Sequence, residues 1–296
     1  MIVLTTPTGD IGGQLLELLL SRAPDEPLRV VVRDPAKLSG AVRDRVEVVT
    51  GSHGDADVAD RAFAGADAVF WVVPPDPSAP SLEAAYSGFT TPAVKAFAAH
   101  GVRRVVGVSA LGRGTTVADR AGLVTASLAM DDLIAGSGVA YRALANPGFM
   151  DNVLRRTASI RDEGVFADTA SPARRAPLVA TRDIAARAAE LLLDPSWEGV
   201  GSVPVLGPED LSPEDMVRTM SEVLGRPVRY ERLPLETLAA GMTAGGVGDA
   251  FVRGMVDMMR AKDEGLDAGV PRTPETTSPT TFRQWCQEVL VPAVGA

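Results

Sequence analysis

The chain begins with its most constraining feature, a short apolar strand that passes through a glycine-containing turn into an apolar helix. Ile2, Val3 and Leu4 lead into the turn at 6–13, and a leucine-rich helical stretch follows. Such a turn aims backbone N–H groups and the positive end of a helix at one place, where a pyrophosphate can bind. Glycine is needed because a Cβ would hold the phosphate away from the backbone. The turn therefore predicts a dinucleotide site formed by Thr6, Thr8, Gly9, Asp10, Ile11 and Gly12.

One position of this turn departs from the usual spacing, since Thr6 stands where G-x-x-G-x-x-G has its first glycine. An ordinary connection between a strand and a helix is the alternative. The rest of the first half favours the nucleotide site, because apolar strand-like segments alternate with helical ones. The strands are expected at 2–5, 28–32, 46–50, 68–73, 104–108 and 141–144, and the helices at 13–22, 56–64, 92–100 and 123–135. This alternation predicts an α/β fold with a Rossmann-like doubly wound parallel sheet, which binds ligands at the carboxyl ends of its strands.

The pattern loosens after residue 146. Short strand-like pieces alternate with helices, and the Gly- and Ala-rich segment 239–248 is expected to be a mobile loop or a helix break. The expected strands are 177–180, 202–206 and 228–233, and the expected helices are 183–193 and 213–224. We predict a nucleotide-binding domain over 1–150 and a small α/β substrate-binding and capping region over 151–296, interleaved with the first.

Composition argues against several classes of function. A net charge of −9 disfavours a nucleic-acid partner, and one cysteine with two histidines leaves no metal-binding constellation. The aspartates at 55, 57 and 60 lack the glycine and the closing glutamate of a calcium loop. There is no basic-then-apolar leader and no apolar run of about 18 residues. We expect a soluble cytoplasmic protein, a monomer or homodimer, without metal, nucleic-acid or membrane partners.

The end of the second predicted strand indicates which nucleotide binds. A carboxylate at that strand tip hydrogen-bonds the ribose hydroxyls, whereas an arginine there binds a 2′-phosphate. Arg33 occupies the tip and Lys37 follows as a second cation. The pair favours NADPH/NADP over NAD, although the adjacent Asp34 would favour NAD if it turned toward the ribose. The alternative is that both cations are ordinary surface charges.

Segments spread over most of the chain resemble the NmrA-like branch of the atypical short-chain dehydrogenase/reductases. They include Thr8-Gly9-x-x-Gly12, Arg33-Asp34-Pro35-x-Lys37 and the run from Asn146 to Asn152, together with 66–70, 100–106, 182–185 and 224–228. The resemblance implies a Rossmann domain with a small C-terminal substrate domain and NADPH as cofactor. Activities in the branch range from quinone and ketone reduction to redox sensing without catalysis.

The chain departs from this family most clearly in its proton donor. Members usually donate a proton from a tyrosine whose pKa is lowered by a lysine four residues later. Thr90, Ala145 and Pro234 follow the three tyrosines at that distance, so no Tyr-x-x-x-Lys exists. In addition, Ser52 or His53 replaces the acidic residue that meets the adenine, and Asn146-Pro147 replaces Arg-Pro.

The missing tyrosine–lysine pair constrains the substrate. A general acid contributes about 10²–10⁴-fold, and its loss matters most where hydride transfer produces a strongly basic alkoxide. A quinone or hydroxyaryl ketone can place the charge on a phenolate instead, because phenols ionise near a pKa of about 10. The sequence therefore predicts an NADPH-dependent reductase of an aromatic ketone or quinone, as in polyketide secondary metabolism (antibiotic biosynthesis), with the proton supplied by the substrate. The alternatives are a non-catalytic NADP(H)-binding redox sensor and an isomerase or lyase of the same fold.

Several further residues are assigned to the site. Ser109, at the position of the family's catalytic serine, and Tyr86, beyond the proline-rich loop 74–80, are expected to assist catalysis. Tyr141 is expected to be structural. Met150 and Asn152 are expected to line the substrate pocket, although Met and Phe are also ordinary core residues. The remaining cofactor contacts are expected from Ser52, Val73, Pro74, Asn146, Pro147, Gly148 and Phe149. An apolar lid is expected over 242–259.

Overall fold

Continuous runs of Val, Ile, Leu and Ala form the strands at the centre of the molecule. The computed structural model describes residues 1–74 and 76–295. Its strands are β1 Ile2–Thr5, β2 Leu28–Val32, β3 Glu47–Thr50, β4 Ala68–Trp71, β5 Arg104–Ala110, β6 Ala140–Asn146, β7 Gly148–Phe149, β8 Val165–Asp168, β9 Ala176–Val179, β10 Val200–Pro204, β11 Asp210–Leu211 and β12 Arg229–Arg232. The α-helices are α1 Asp10–Arg22, α2 Gly40–Arg43, α3 Ala56–Phe63, α4 Phe89–His100, α5 Leu123–Ala135, α6 Thr157–Glu163, α7 Thr181–Leu193, α8 Pro213–Leu224, α9 Leu235–Ala244, α10 Asp249–Asp263, α11 Phe282–Trp285 and α12 Val291–Gly295.

The main sheet is parallel and has the strand order β10-β6-β5-β4-β1-β2-β3. One face packs on α1 and α7 through residues such as Leu15, Leu19 and Ile184, and the other packs on α3, α4 and α5 through residues such as Phe63 and Phe97. Burial of both faces explains why the strands lack polar alternation. The predicted α/β doubly wound fold is confirmed, and its strand order reverses between β1 and β4.

The second half of the chain contributes to the main sheet and also forms smaller units. Strand β10 pairs with β6, and α7 packs against α1, so both belong to the large sheet. The strand order β11-β9-β7 and the pair β12-β8 form two further sheets. Beside them lies a separate apolar core that contains Met150, Phe166, Met220, Phe282 and Trp285.

The segment 239–248 is only in part the loop that its composition predicts. Helix α9 continues through Ala244, because Leu, Ala and Met favour helix and offset the single Gly241. The break is confined to 245–248, where Gly246 has a φ of 80°, and α10 follows at once. The two helices pack against each other as a hairpin.

The parallel strands of the main sheet begin at one side of the sheet and end at the other. The carboxyl edge is the one at which β1, β2, β4, β5 and β6 end, and the amino edge is the one at which they begin. Within the described residues no helix is long and apolar enough to cross a membrane.

Candidate cofactor and active site

The turn between β1 and α1 has the close backbone packing that its glycines predict. The Gly9 N–H donates to the Thr6 carbonyl at 3.0 Å, and Thr6 adopts a φ of 51°, a conformation that glycine would adopt more easily. A Cβ on Gly12 would lie 2.1 Å from the Thr6 carbonyl oxygen, so no larger residue fits there. Thr6 therefore replaces the first glycine of the spacing at the cost of an unfavourable φ, whereas Gly12 is required by space.

The start of α1 carries backbone donors that have no acceptor within the helix. Its first intrahelical bond runs from the Gly13 N–H to the Gly9 carbonyl, which leaves the N–H groups of Asp10, Ile11 and Gly12 without intrahelical acceptors. Gly9 caps the helix without a side-chain hydrogen bond, and Thr8, Gly9 and Asp10 are exposed. These residues fit a pyrophosphate, which accepts hydrogen bonds and is attracted by the helix dipole.

The tip of β2 carries two exposed cations and one carboxylate that is already engaged. Within residues 1–74 and 76–295, Arg33 and Lys37 are exposed and make no ion pair or side-chain hydrogen bond. The Asp34 carboxylate instead accepts a hydrogen bond from the Ala36 N–H at 3.0 Å and so caps the short 3₁₀ turn Pro35–Lys37. The tip therefore presents positive charge to a ligand, which suits the 2′-phosphate of NADPH.

A buried histidine follows β3 on the adenine side of the predicted site. His53 is 6% exposed, and its Nε2 lies 2.8 Å from the Val72 carbonyl oxygen. Its ring packs edge-on against Trp71 and Phe89, with ring centroids 5.0 and 4.9 Å away. Burial lowers the pKa of His53 to about 4, so the ring is neutral at physiological pH. The adjacent Ser52 is half-buried, and its hydroxyl accepts a hydrogen bond from the Gly54 N–H at 3.3 Å.

The ends of β4 and β6 meet at the middle of the carboxyl edge. Val73 is buried and Pro74 is exposed just beyond β4. Asn146 is 2% exposed, and its Nδ2 donates to the carbonyls of Leu144 and Ser109 at 2.7 and 3.1 Å. These two acceptors fix the orientation of the amide and leave its buried Oδ1 without a partner among the described residues.

The segment after β6 divides between core and surface. Pro147 is buried, while Gly148 and Phe149 are half-buried in β7, which pairs with β9. Met150 is 2% exposed and packs in the C-terminal apolar core, whereas Asn152 is exposed. Both were expected beside the substrate, and the structure places them in these different surroundings.

Asp151, between these two residues, hydrogen-bonds the first residue of α7. Its carboxylate accepts hydrogen bonds from the N–H and the hydroxyl of Thr181 at 3.0 and 2.9 Å. Gln14 of α1 donates to the same Thr181 hydroxyl at 2.9 Å. This segment therefore links α1 to α7.

Ser109 lies at the carboxyl end of β5, but its hydroxyl is already engaged. It donates to one carboxylate oxygen of Asp131 on α5, and the Tyr141 hydroxyl donates to the other at 2.6 Å. Tyr141 is structural, as expected. Asp131 is a residue that sequence reasoning missed. The available signal was an aspartate in an otherwise apolar helix, a pattern that surface positions also produce.

The two other tyrosines also lack the features of an activated acid. Tyr86 lies in the π-helical turn Ala84–Gly88 and packs against the core under α4, where burial raises its pKa to about 12. Tyr230 donates to the carbonyls of Ala170 and Asp168, at 2.6 and 2.9 Å, far along the chain from β5. Tyr86 is therefore part of this packed face, and its high pKa makes it a weak acid.

The hairpin of α9 and α10 is attached to the loop beyond β4. The Gly248 N–H, in the break between the helices, donates to the Pro77 carbonyl at 2.9 Å. A Cβ on Gly254 would lie 2.6 Å from a Leu82 methyl, and one on Gly122 would lie 2.0 Å from the Gly254 carbonyl oxygen. The expected lid segment 242–259 is thus mostly helical and is packed against the start of α5 and the segment around Leu82. The described residues contain no cluster that could hold a metal ion.

Comparison with known proteins places these features in a family. A protein family described as NAD(P)H-binding matches residues 7–195. The chain is 32% identical over 295 residues to a (4-alkanoyl-5-oxo-2,5-dihydrofuran-3-yl)methyl phosphate reductase of Streptomyces griseus, with 97% of each chain covered. It is 28% identical to an NAD(P)H azoreductase of Xenophilus azovorans, with 91% of this chain and 90% of the relative covered. The NADPH-dependent quinone oxidoreductase of Escherichia coli, solved with NADPH, has a similar structure with a TM-score of 0.78 at 22% identity over 100% of this chain and 99% of that one.

Proposed function

Because this chain belongs to the NAD(P)H-binding family and is an NAD(P)H-dependent oxidoreductase, we propose that it reduces an electron-poor acceptor conjugated to a carbonyl or aromatic group, in the first place an aromatic ketone or quinone. The observation that carries this proposal is the state of its three tyrosines. The pKa values of Tyr86, Tyr141 and Tyr230 are all raised by burial, and two of the hydroxyls are bonded to other groups. None of the three hydroxyl groups has the lowered pKa of an activated proton donor.

NADPH, when bound, supplies the hydride, so the protein must bind both partners and manage the charge on the acceptor. A simple ketone would acquire a localised and strongly basic alkoxide. A quinone or hydroxyaryl ketone would spread the charge onto a phenolate, whose conjugate acid has a pKa of about 10. With no activated tyrosine, the site suits the second class, for which binding and orientation supply most of the rate.

The relatives support a conjugated acceptor. A quinone and an azo compound both delocalise the added electron pair. The substrate of the Streptomyces relative, by its name, carries a ring double bond conjugated with two carbonyl groups. Hydride addition at the outer carbon of that double bond would give an anion shared between two oxygens. A conjugated lactone phosphate is therefore a second candidate substrate, favoured by the 32% identity to that relative.

We assign the following roles to the site residues. The turn from Thr6 to Gly12 binds the pyrophosphate, Arg33 and Lys37 bind the 2′-phosphate, and Ser52 lies by the adenine. Val73, Pro74, Asn146, Pro147, Gly148 and Phe149 surround the nicotinamide. Ser109 contacts the acceptor. Residues 151–296 complete the substrate pocket, with Asn152 at its exposed side and Met150 supporting it from the core.

A panel of acceptors tests the function. NADPH oxidation would be followed at the absorbance of the reduced nicotinamide with 1,4-naphthoquinone, a hydroxyanthraquinone, the conjugated lactone with and without its phosphate, and cyclohexanone. We expect turnover of one conjugated class and at least ~100-fold slower turnover of cyclohexanone. Preference for cyclohexanone would refute the proposal. Tight NADPH binding with no turnover of any acceptor would indicate a cofactor sensor instead.

A further inference from the structure

Three buried polar side chains meet beside the carboxyl end of β5. Asp131 accepts hydrogen bonds from Ser109 on one oxygen and from Tyr141 on the other. The three residues are 4%, 6% and 1% exposed, respectively. An isolated carboxylate in such surroundings is costly to bury, and a fold that needed only packing here would be served by an apolar side chain.

The backbone around this cluster makes room for it. A Cβ on Gly107 would lie 2.3 Å from the Tyr141 hydroxyl oxygen, so glycine at this position of β5 lets that hydroxyl reach Asp131. Gly107 and Ser109 are two residues apart and therefore point to the same face of the sheet. The register pairs Trp71 with Gly107, which places Ser109 beyond the end of β4 and thus at the rim of the carboxyl edge.

The charges that face Asp131 are few. Arg113, from the loop after β5, has its Nη2 4.0 Å from an Asp131 oxygen and 3.0 Å from Asp132. Asp132 lies on the same helix, and Tyr141 is the titratable group that faces Asp131 from β6. The nearest cation is therefore shared with a second carboxylate. Burial outweighs the hydrogen bonds and raises the pKa of Asp131 to about 6.

We propose that Asp131 stores the proton that the reduced acceptor requires and that Ser109 passes it on, which rests on the proposed reductase function. When Asp131 is protonated, its O–H donates to Ser109 Oγ, and the Ser109 O–H is free to point toward the rim. Asp131 acts through Ser109 and is a positioning residue, whereas Ser109 touches the acceptor.

The proton balance is closed by groups that the proposal names. Bound NADPH would supply the hydride that forms the new bond at the acceptor, and an electron pair would be left on the acceptor oxygen. The Ser109 O–H bond breaks as that oxygen gains the proton, and the Asp131 O–H bond breaks as Ser109 Oγ regains one. Asp131 is left as a carboxylate with the Tyr141 hydrogen bond, and water returns the proton. The products are NADP⁺ and the neutral reduced acceptor.

Single-turnover reduction by saturating NADPH tests this relay with 2′-hydroxyacetophenone and 1,4-naphthoquinone from pH 5 to 8. In the wild type we expect the rate to rise as pH falls through about 6, more steeply for the ketone. Ser109→Ala and Asp131→Asn should lose ~10–100-fold at pH 5 with the ketone and become insensitive to pH, with the NADPH Kd unchanged. Tyr141→Phe is the matched control: it keeps the relay and moves the midpoint upward. A wild-type pH profile in Ser109→Ala or Asp131→Asn would overturn the proposal.

A second measurement needs neither acceptor nor cofactor. The infrared carboxyl band of Asp131, obtained as the difference between wild type and Asp131→Asn, should titrate with a midpoint near 6, and Tyr141→Phe should raise it. If Asp131→Asn does not fold, the Asp131 band can be identified from the difference between wild type and Tyr141→Phe, because that substitution shifts it. If the Asp131 carboxyl group is ionised throughout pH 5–8, the proposal that it stores a proton is overturned. Absence of turnover with every acceptor, combined with a midpoint near 6, would instead count against the proposed function alone.

Discussion

The two edges of the main sheet treat their polar groups in opposite ways. At the amino edge, Arg29 donates to the carbonyls of Ala62 and Ala64, both at 2.7 Å. Arg142 there donates to two carbonyls of the segment 198–199, and its guanidinium lies 4.5 Å from the centre of the Trp197 ring. The side chains of these arginines connect strand ends to neighbouring loops.

The carboxyl edge leaves several polar groups without a partner among the described residues. Arg33 has no side-chain partner within 1–74 and 76–295, the first N–H groups of α1 lack intrahelical acceptors, and the buried Oδ1 of Asn146 has no partner among the described residues. A hydrogen bond made with a ligand at an exposed group replaces one made with water, and no bond within the protein has to be broken for it. The unpaired groups at the carboxyl edge fit the cofactor site that we propose there, whereas Arg29 and Arg142 at the amino edge contribute stability.

The largest effect should come from filling the turn at the carboxyl edge. Gly12→Ala would place a methyl group 2.1 Å from the Thr6 carbonyl oxygen and distort the whole phosphate-binding turn. We expect a loss of about 3–5 kcal/mol in the free energy of unfolding and at least ~100-fold weaker NADPH binding, measured by urea titration and by fluorescence. Gly13→Ala is the control, since its Cβ would make an ordinary contact of 3.5 Å with Pro7. Equal effects of the two substitutions would contradict the close approach.

The next largest effect should be the loss of stability in acid that His53, at the carboxyl edge, causes. The folded pKa of His53 is about 4, below its unfolded value of about 6.5, so the unfolded chain takes up the proton first. Stability supplied by neutral His53 is present above pH 6.5 and is lost toward pH 4, by at most about 3 kcal/mol. His53→Gln should therefore be less sensitive to acid than the wild type in that window, as measured by urea titration at each pH.

Two carboxyl groups, those of Asp67 and Asp131, serve as references for the experiment on His53. Asp67, at the amino edge, is held by the chain's N-terminal ammonium and by Arg103, which lower its pKa, so Asp67→Asn should leave the window from pH 6.5 to 4 unchanged. Asp131 acts with the opposite sign, because its raised pKa makes the fold lose stability as pH rises through about 6. The difference between His53→Gln and wild type therefore isolates the histidine. A constant difference across the window would disprove its burial in the neutral form.

Of two exposed arginines, one at each edge, only Arg33 should contribute to cofactor binding, and only to the binding of NADPH. Arg33→Ala should weaken NADPH binding by ~10–100-fold, the value of a charge-assisted hydrogen bond of about 1.5–3 kcal/mol, and leave NADH binding nearly unchanged. Arg103→Ala, which removes a comparably exposed arginine paired with Asp67, should change neither. Isothermal titration with both cofactors provides the measurement. Loss of NADPH and NADH binding in parallel would assign Arg33 to the shape of the strand tip instead.

The smallest effect is expected at the amino edge. Arg142→Met removes the hydrogen bonds to the segment 198–199 and the stacking on Trp197 while it keeps most of the apolar stem. We expect a loss of about 1–2 kcal/mol in the free energy of unfolding and an unchanged NADPH Kd. A weakened Kd in a folded variant would mean that the two edges are energetically coupled.

Local sequence patterns predicted the parts of the molecule that local physics determines. The valine-rich strands, the turn at Gly9 and Gly12, and the helix of 123–135 depend on neighbours in the chain. The ranges missed by a few residues lie mostly at element ends, where packing decides the boundary. The larger departures lie in the second half of the chain. Helix α9 forms where a Gly-Ala-rich composition suggested a mobile loop or a helix break, although most of its residues favour helix, and no helix was predicted over α10.

The chemistry of the site was harder to foresee because it depends on distant pairings. Ser109 and Asp131 are 22 positions apart, and only the docking of α5 on β5 joins them. The burial of Tyr86 likewise follows from tertiary packing. The direction of the Asp34 carboxylate, in contrast, is set by a local turn. The assignments of individual cofactor and substrate contacts stay predictions.

The construction of the α9–α10 hairpin has a consequence for how such a protein changes over time. Helix α9 has no fully buried side chain, whereas its partner α10 is anchored through Gly254 and Val252. Substitutions along α9 therefore cost the fold little, while the helix remains tethered beside the rim through Gly248. Random variation restricted to 235–244 should yield mostly folded proteins. Because residues 151–296 are proposed to complete the substrate pocket, we expect variation in α9 to change acceptor preference, in nature or in a laboratory library, while the protein stays folded.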